Sequence, residues 1–231
     1  MKKIQIDNLV IELTRRCNMN CEHCLRGSVQ NIDIDLNYVE SLFKKLNYIS
    51  SLTLSGGEPS LVPNDINHII NIAKKNNVEI GNFYIATNGK KVSNEFLLAL
   101  INLWTYCSDN EISQVNISND KYHEMYENEA NKLRVFSFTS NKFEKDYYRY
   151  QKGMLIAEGR SLEFGSRFIK KDSYIIDDNM IQDGNVYLNC KGNIIAGCDF
   201  SYKSQDKKEN IICAVNEFGL DKFKNFLYEG Y

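Results

Sequence analysis

The sequence predicts an α/β fold, a partial (β/α)6 TIM-like barrel with a small C-terminal β-hairpin plus helix cap. Three observations predict it. Short apolar runs alternate with stretches whose apolar residues recur every three to four positions, the pattern of a parallel sheet covered by helices. The early runs end in loops rich in Cys, Gly and Asn. After about residue 180 the pattern changes to two short runs flanking Lys191-Gly192, which reads as a hairpin.

Leu9 to Leu13 is a strand that runs into a cysteine-rich loop. Asp35 caps a helix carrying Val39, Leu42, Phe43 and Leu46. Ser51 to Ser55 is a second strand ending in Gly56-Gly57-Glu58-Pro59. Pro63 opens a helix with Ile66, Ile69, Ile70 and Ala73 on one face. Ile80 to Thr87 forms a third strand, and Ser93 caps a helix striped by Phe96, Leu97, Leu100, Ile101 and Trp104. Gln114 to Ser118 and Leu133 to Phe138 read as a fourth and fifth strand. Between 141 and 179 the pattern is weak and accommodates one helix and one more strand. Val186 to Cys190 and Asn193 to Cys198 form the hairpin, and Leu220, Phe223 and Leu227 mark a terminal helix. The expected division is a barrel over residues 1–180 and an extension over 181–231.

Of 231 residues, 43 % are apolar and 25 % charged, as in ordinary globular chains. The formal net charge of −2 speaks against a nucleic-acid partner, since phosphate neutralisation needs a basic excess. The longest clean apolar run, Phe96 to Ile101, is too short to span a bilayer. The N-terminus lacks the apolar core of a signal peptide, so a cytoplasmic location and no membrane partner are expected. Seven cysteines, an odd number without a secretion signal, read as metal or redox ligands or buried small hydrophobes.

The chemistry concentrates in Glu12-Leu13-Thr14-Arg15-Arg16-Cys17-Asn18-Met19-Asn20-Cys21-Glu22-His23-Cys24. Thiolates at C-x3-C-x2-C spacing suit an iron–sulfur cluster or zinc. Three cysteines on one loop take three corners of a cubane and leave the fourth iron open. A structural zinc site wants a fourth protein ligand, and His23 is poorly placed to share one ion with Cys24.

This motif at the end of the first strand resembles the signature of the radical S-adenosylmethionine superfamily. Ser55-Gly56-Gly57-Glu58-Pro59 after the second strand resembles that family's segment for the methionine amino group. The resemblance implies a [4Fe–4S] cluster on Cys17, Cys21 and Cys24, and S-adenosylmethionine as the second cofactor. It implies reductive cleavage to a 5′-deoxyadenosyl radical that abstracts hydrogen from a substrate. It also places His23 beside the adenine, and Ser55, Gly56, Gly57 and Glu58 at the methionine end. Ala86-Thr87-Asn88-Gly89 and Asn116-Ile117-Ser118-Asn119-Asp120 resemble further family segments, which makes Asn88, Ser118 and Asn119 candidate cofactor contacts. Turn chemistry is the alternative for each. The resemblance covers about the first 120 residues. It implies a flavodoxin- or ferredoxin-type electron donor, oxygen sensitivity and an anaerobic setting.

Cys190, Cys198 and their hairpin resemble a truncated extension of the SPASM or Twitch type, which in relatives carries auxiliary clusters. A two-residue turn at Lys191-Gly192 pairs Cys190 with Asn193 and sends Cys198 to the other face, against a shared cluster. Cys107 reads as a buried thiol. His68, His123 and the Lys145 to Tyr150 stretch read as helix surface. Arg160 or Arg167 is available to a methionine carboxylate. For the substrate, the tail points to a peptide or protein side chain, while the short chain points to a small metabolite or nucleotide. A non-enzymatic zinc-binding module is the rival from another class, and Gly-Gly-Glu-Pro speaks against it.

Overall fold

The computed structural model describes residues 2–118, 126–140, 155–163, 165, 167–168 and 170–229. In chain order the elements are β1 (Ile4–Thr14), α1 (Leu36–Phe43), β2 (Leu46–Gly56), α2 (Pro63–Asn76), β3 (Glu79–Thr87), α3 (Asn94–Tyr106), β4 (Gln114–Ile117), α4 (Glu127–Leu133) and β5 (Thr139–Ser140). The second half adds β6 (Ile175–Asp177), β7 (Met180–Gln182), β8 (Val186–Leu188), β9 (Asn193–Ile195), α5 (Tyr202–Gln205), β10 (Ile211–Ala214) and α6 (Leu220–Glu229).

The described strands form one sheet in the order β10-β9-β8-β1-β2-β3-β4-β5, with β7 also on β1 and β6 on β7. Strands β1 to β5 run parallel to one another, and β8 runs parallel to β1. Their carboxyl ends therefore share one rim. The sheet is open rather than closed, a partial barrel as expected.

The first three helices are set by local chemistry. The Asp35 carboxylate caps α1 by accepting from Asn37 N–H at 2.9 Å, and Val39, Leu42 and Phe43 are buried. Helix α2 begins at Pro63, whose missing N–H costs nothing there, and ends at Asn77 in the left-handed region with φ 53°. Ser93 caps α3 by accepting from Phe96 N–H at 3.2 Å. No helix among the described residues is long and apolar enough to cross a membrane.

Strand β1 is buried on both faces along its second half. Leu9, Ile11 and Leu13 enter the core under the helices. Val10 points the other way and packs with Tyr187, Ile195, Ala196 and Phe200. The tail therefore fills the inner face of β1 and extends the sheet beside it. The expected boundary at 180 falls within the antiparallel pair β6–β7.

Four details differ from expectation. Leu46, expected on the first helix, instead opens β2, which is longer than Ser51 to Ser55 because it pairs along β1 from Ile4 onward. The first strand is longer than Leu9 to Leu13, because Ile4 and Ile6 also pair with β2. Residues 133–138 are not a strand. Leu133 ends α4 and Phe138 plugs the core against Phe83 and Trp104, so their apolar alternation reflects a helix end and a turn. The hairpin register is Tyr187 to Ile195 and Leu188 to Ile194. Asn189 then faces Asn193, and Cys190-Lys191-Gly192 form the turn. The Asn189 side chain selects this turn by accepting from Lys191 N–H and Asn193 N–H, both at 3.0 Å. Cys190 thus does not pair with Asn193.

Candidate functional site

The cysteine loop leaves β1 on the common rim. Cys17, Cys21 and Cys24 are free, half-buried thiols, and all three line one cavity of about 590 Å³. The loop is held by its own turns, with Cys24 N–H donating to Cys21 O at 3.2 Å and Gly27 N–H to Cys24 O at 3.2 Å. Met19 N–H donates to Cys17 Sγ at 3.4 Å. Burial pushes the Cys17 thiol up to about 11, so iron would have to displace its proton.

The end of β2 forms the next wall. Gly57 N–H donates to Thr14 O at 2.7 Å, and Glu58 N–H to Arg16 O at 2.9 Å. A Cβ on Gly57 would lie 2.1 Å from Arg16 O, and one on Gly56 2.2 Å from Thr14 O. The two glycines thus let the backbone lie directly on the root of the cysteine loop.

Glu58 is buried and joins the second and third strand ends. Its Oε1 accepts from Ser60 N–H at 3.0 Å and Thr87 Oγ1 at 2.6 Å, and its Oε2 from Asn88 N–H at 2.8 Å. Asn88 in turn donates from Nδ2 to Asn18 Oδ1 at 2.9 Å, inside the cysteine loop. Ser118 N–H donates to Thr87 O at 2.8 Å. His23, Ser55, Gly56, Gly57, Glu58, Asn88 and Ser118 all line the same cavity as the cysteines. Asn119 and His123 lie outside the described residues, as do Lys145 to Tyr150.

Of the two arginines the sequence offers to a methionine carboxylate, Arg160 takes a different role. Arg160 Nε donates to Cys21 O at 2.8 Å, its Nη1 donates to Asn20 Oδ1, and its N–H donates to Cys24 O at 2.9 Å. Arg160 is thus a clamp on the cysteine loop. Arg167 lines the cavity and is the arginine left available to a carboxylate. No local pattern announces the clamp, because Arg160 and Cys21 are 139 positions apart.

Beneath the loop lies a buried charged network. Glu12 and Arg15 are both fully buried, and Arg15 Nε donates to Glu12 Oε1 at 2.7 Å. Arg15 also donates to Gln205 Oε1 at 2.7 Å and Gln30 Oε1 at 3.0 Å, and stacks over Tyr202. Glu12 further accepts from Tyr187 Oη, Gln205 Nε2 and Cys190 N–H at 2.9, 2.9 and 3.0 Å. Burial alone would raise the Glu12 carboxyl, but Arg15, Arg26 and these donors outweigh it and hold the group below its ordinary value. Glu12, a carboxylate within an apolar strand with Arg15 three positions on, is the sequence signal that was available for this network and was not read.

The donor set fits an iron–sulfur cage. Three thiols line one cavity, and among the described residues no three His, Cys, Asp or Glu side chains converge as a single-ion site does. A cubane takes one thiolate at each of three corners, so convergence on one point is not required of it. The cavity volume lies in the range of sites that hold drug-sized ligands, which leaves room for a nucleoside sulfonium beside the cage.

A parallel sheet whose rim carries three cysteines and a Gly-Gly-Glu-Pro turn around one cavity defines a cofactor-dependent enzyme. The Radical SAM superfamily model matches residues 11–135, more than half of the chain, and the protein belongs to that superfamily. Its cofactors are those the superfamily uses, a [4Fe–4S] cluster and S-adenosylmethionine. No curated protein matches the chain in sequence. Its fold is similar to that of native anSMEcpe with bound AdoMet and Cp18Cys peptide, at a TM-score of 0.62 and 10% identity over 98% of this chain and 82% of that one. The same protein with AdoMet and Kp18Cys peptide gives 0.59 and 12% over 96% and 82%. BtrN in an open conformation gives 0.50 and 14% over 100% and 86%. At these identities the likeness is one of fold.

Proposed function

We propose that this enzyme cleaves S-adenosylmethionine reductively and uses the product to abstract hydrogen from a peptide or protein side chain. The observation that carries the reading is the gathering of Cys17, Cys21 and Cys24 with the Ser55 to Glu58 turn, Asn88 and Ser118 around one cavity. When bound, the cofactor pair supplies one-electron cleavage of a carbon–sulfur bond, giving methionine and a 5′-deoxyadenosyl group that takes a hydrogen atom from the substrate.

The chain's own residues do the rest. Cys17, Cys21 and Cys24 hold the cluster. Arg160 fixes the loop by its carbonyls. Gly56 and Gly57 set the β2 end against that loop, and exposed backbone of the turn is the partner for the methionine ammonium. Glu58 aligns the strand ends through Thr87 and Asn88. Arg167 is the partner for a carboxylate. His23 and Ser118 flank adenine and ribose.

Two solved complexes of similar fold hold AdoMet together with a peptide, which supports the peptide class over a small metabolite. A cytoplasmic, oxygen-poor setting and a low-potential protein donor belong to the same reading. The test is anaerobic. Protein reconstituted with iron and sulfide is given S-adenosylmethionine and dithionite, and 5′-deoxyadenosine is measured with and without candidate peptides. Deoxyadenosine that disappears in the cysteine variants supports the reading. A fully loaded cluster that yields none with any peptide or metabolite tested counts against it.

A further inference from the structure

A second cleft of about 460 Å³ lies beside the first and shares only Arg26 with it. It is lined by Arg26, Gly27, Glu158, Arg160, Lys203 and Lys207, among others. The wall between the clefts is the last turn of the cysteine loop. The Cys24 carbonyl accepts from Gly27 N–H at 3.2 Å and from Arg160 N–H at 2.9 Å, and both donors line the second cleft. A molecule seated there would sit one backbone layer from a cluster-holding cysteine without entering the substrate cavity.

The cleft is also electropositive. Arg26 is committed to Phe200 O at 2.6 Å and offsets the buried Glu12, and Arg160 is committed to the cysteine loop, but among the described residues no carboxylate forms an ion pair with Lys203 or Lys207. The one acid of the lining, Glu158, is turned inward and accepts from Ser201 N–H at 3.1 Å and Ser204 Oγ at 2.9 Å. Lys203 and Lys207 are exposed. Leu162 on the same lining is 62% exposed, an apolar contact of the kind that interface centres use. In a chain of formal net charge −2, this local cationic cleft is a counter-current feature.

We infer that this second cleft is the docking site of an acidic, low-potential electron-transfer protein of the flavodoxin or ferredoxin kind. The inference rests on the functional reading above. In the step it serves, the reduced partner loses one electron and the cluster gains it, and no proton or bond is exchanged. Complementary charge raises encounter rate more than final affinity. A nucleic acid would meet the same cations, but Tyr202, the aromatic ring of this lining, is 3% exposed and closed to stacking.

The test compares wild type with Lys203→Glu/Lys207→Glu, both reconstituted, using a flavodoxin with its reductase, and dithionite. The double variant should give dithionite-driven deoxyadenosine at the wild-type rate, while the flavodoxin-driven rate falls about tenfold at low salt. A direct flavodoxin titration followed by flavin fluorescence should weaken in step, and salt should erase the difference. If deoxyadenosine forms but flavodoxin binding and rate are unchanged by the double variant, the docking site is wrong. If a short DNA duplex binds the cleft and flavodoxin does not, it is equally wrong. If wild type makes no deoxyadenosine with dithionite yet flavodoxin binding depends on Lys203 and Lys207, the cleft stands and the functional reading falls.

Discussion

Among the seven cysteines, the three on the β1 loop and the three of the tail live in different surroundings. Cys17, Cys21 and Cys24 are half-buried on a strand-end loop and line a cavity. Cys190 and Cys213 are buried in the core. The Cys190 thiol donates to Glu12 O at 3.1 Å, and burial together with the Glu12 carboxylate raises its pKa. Cys198 is half-buried beside Asp199, and burial pushes it up to about 12. A thiol becomes a ligand where a loop presents it to a cavity and packing stays loose enough for a cofactor. It becomes filler where a strand or turn aims it into the core.

The sharpest contrast is a pair of substitutions. Cys21→Ala should reduce iron from about four per chain to near none and abolish deoxyadenosine. Cys198→Ala should leave both unchanged, and loss of the cluster in that variant would erase the distinction between the two groups.

Arg15→Met attacks the link between them. It leaves Glu12 buried without its closest cation, at a cost of about 3–5 kcal/mol, read as a lowered urea midpoint. The pH dependence should flatten. In wild type the depressed Glu12 pKa contributes stability that is present above the ordinary carboxylate range and is lost as pH falls through the lower folded value. In Arg15→Met burial is opposed only by Arg26 and the remaining donors, so the folded pKa rises and the loss of stability on acidification should shrink. Parallel pH–stability curves for the two proteins would show that Arg15 does not govern Glu12.

Gly57→Ala should cost about 1–3 kcal/mol, because the new Cβ meets backbone rather than a flexible side chain. Its iron uptake should fall with its melting temperature, and full iron uptake would detach the β2 turn from the cysteine loop. The smallest effect belongs to Cys213→Ala, with about 1 kcal/mol of stability lost and iron content unaltered. A drop in iron there would be the surprise.

The sequence made the first half of this site legible because its devices are local. Cys17 to Cys24 and Ser55 to Pro59 each sit within a few residues, and Asp35, Pro63 and Ser93 mark helix starts by chemistry that needs no partner far away. The tail was harder. The register of β8 and β9 is chosen by Asn189 folding over its own turn, which competes with the Lys191-Gly192 signal. The stretch at 133–138 misled because a helix end and a turn can place Leu133 and Phe138 in one core with strand-like spacing. The Arg160 clamp and the Gln205 contact to Glu12 join residues 139 and 193 positions apart, and pairings at such range leave no local trace.

Strand β1 holds a peculiar place in time as well as in space. It is made long before its neighbour β8 and before the Gln205 that bonds both Arg15 and Glu12. The pedestal of the cysteine loop therefore joins segments far apart in the order of synthesis. Until Tyr187, Cys190 and Gln205 emerge, Glu12 lacks three of its donors, and β1 has an open edge of the kind that invites wrong pairing. The pedestal is complete only once Gln205 has been made.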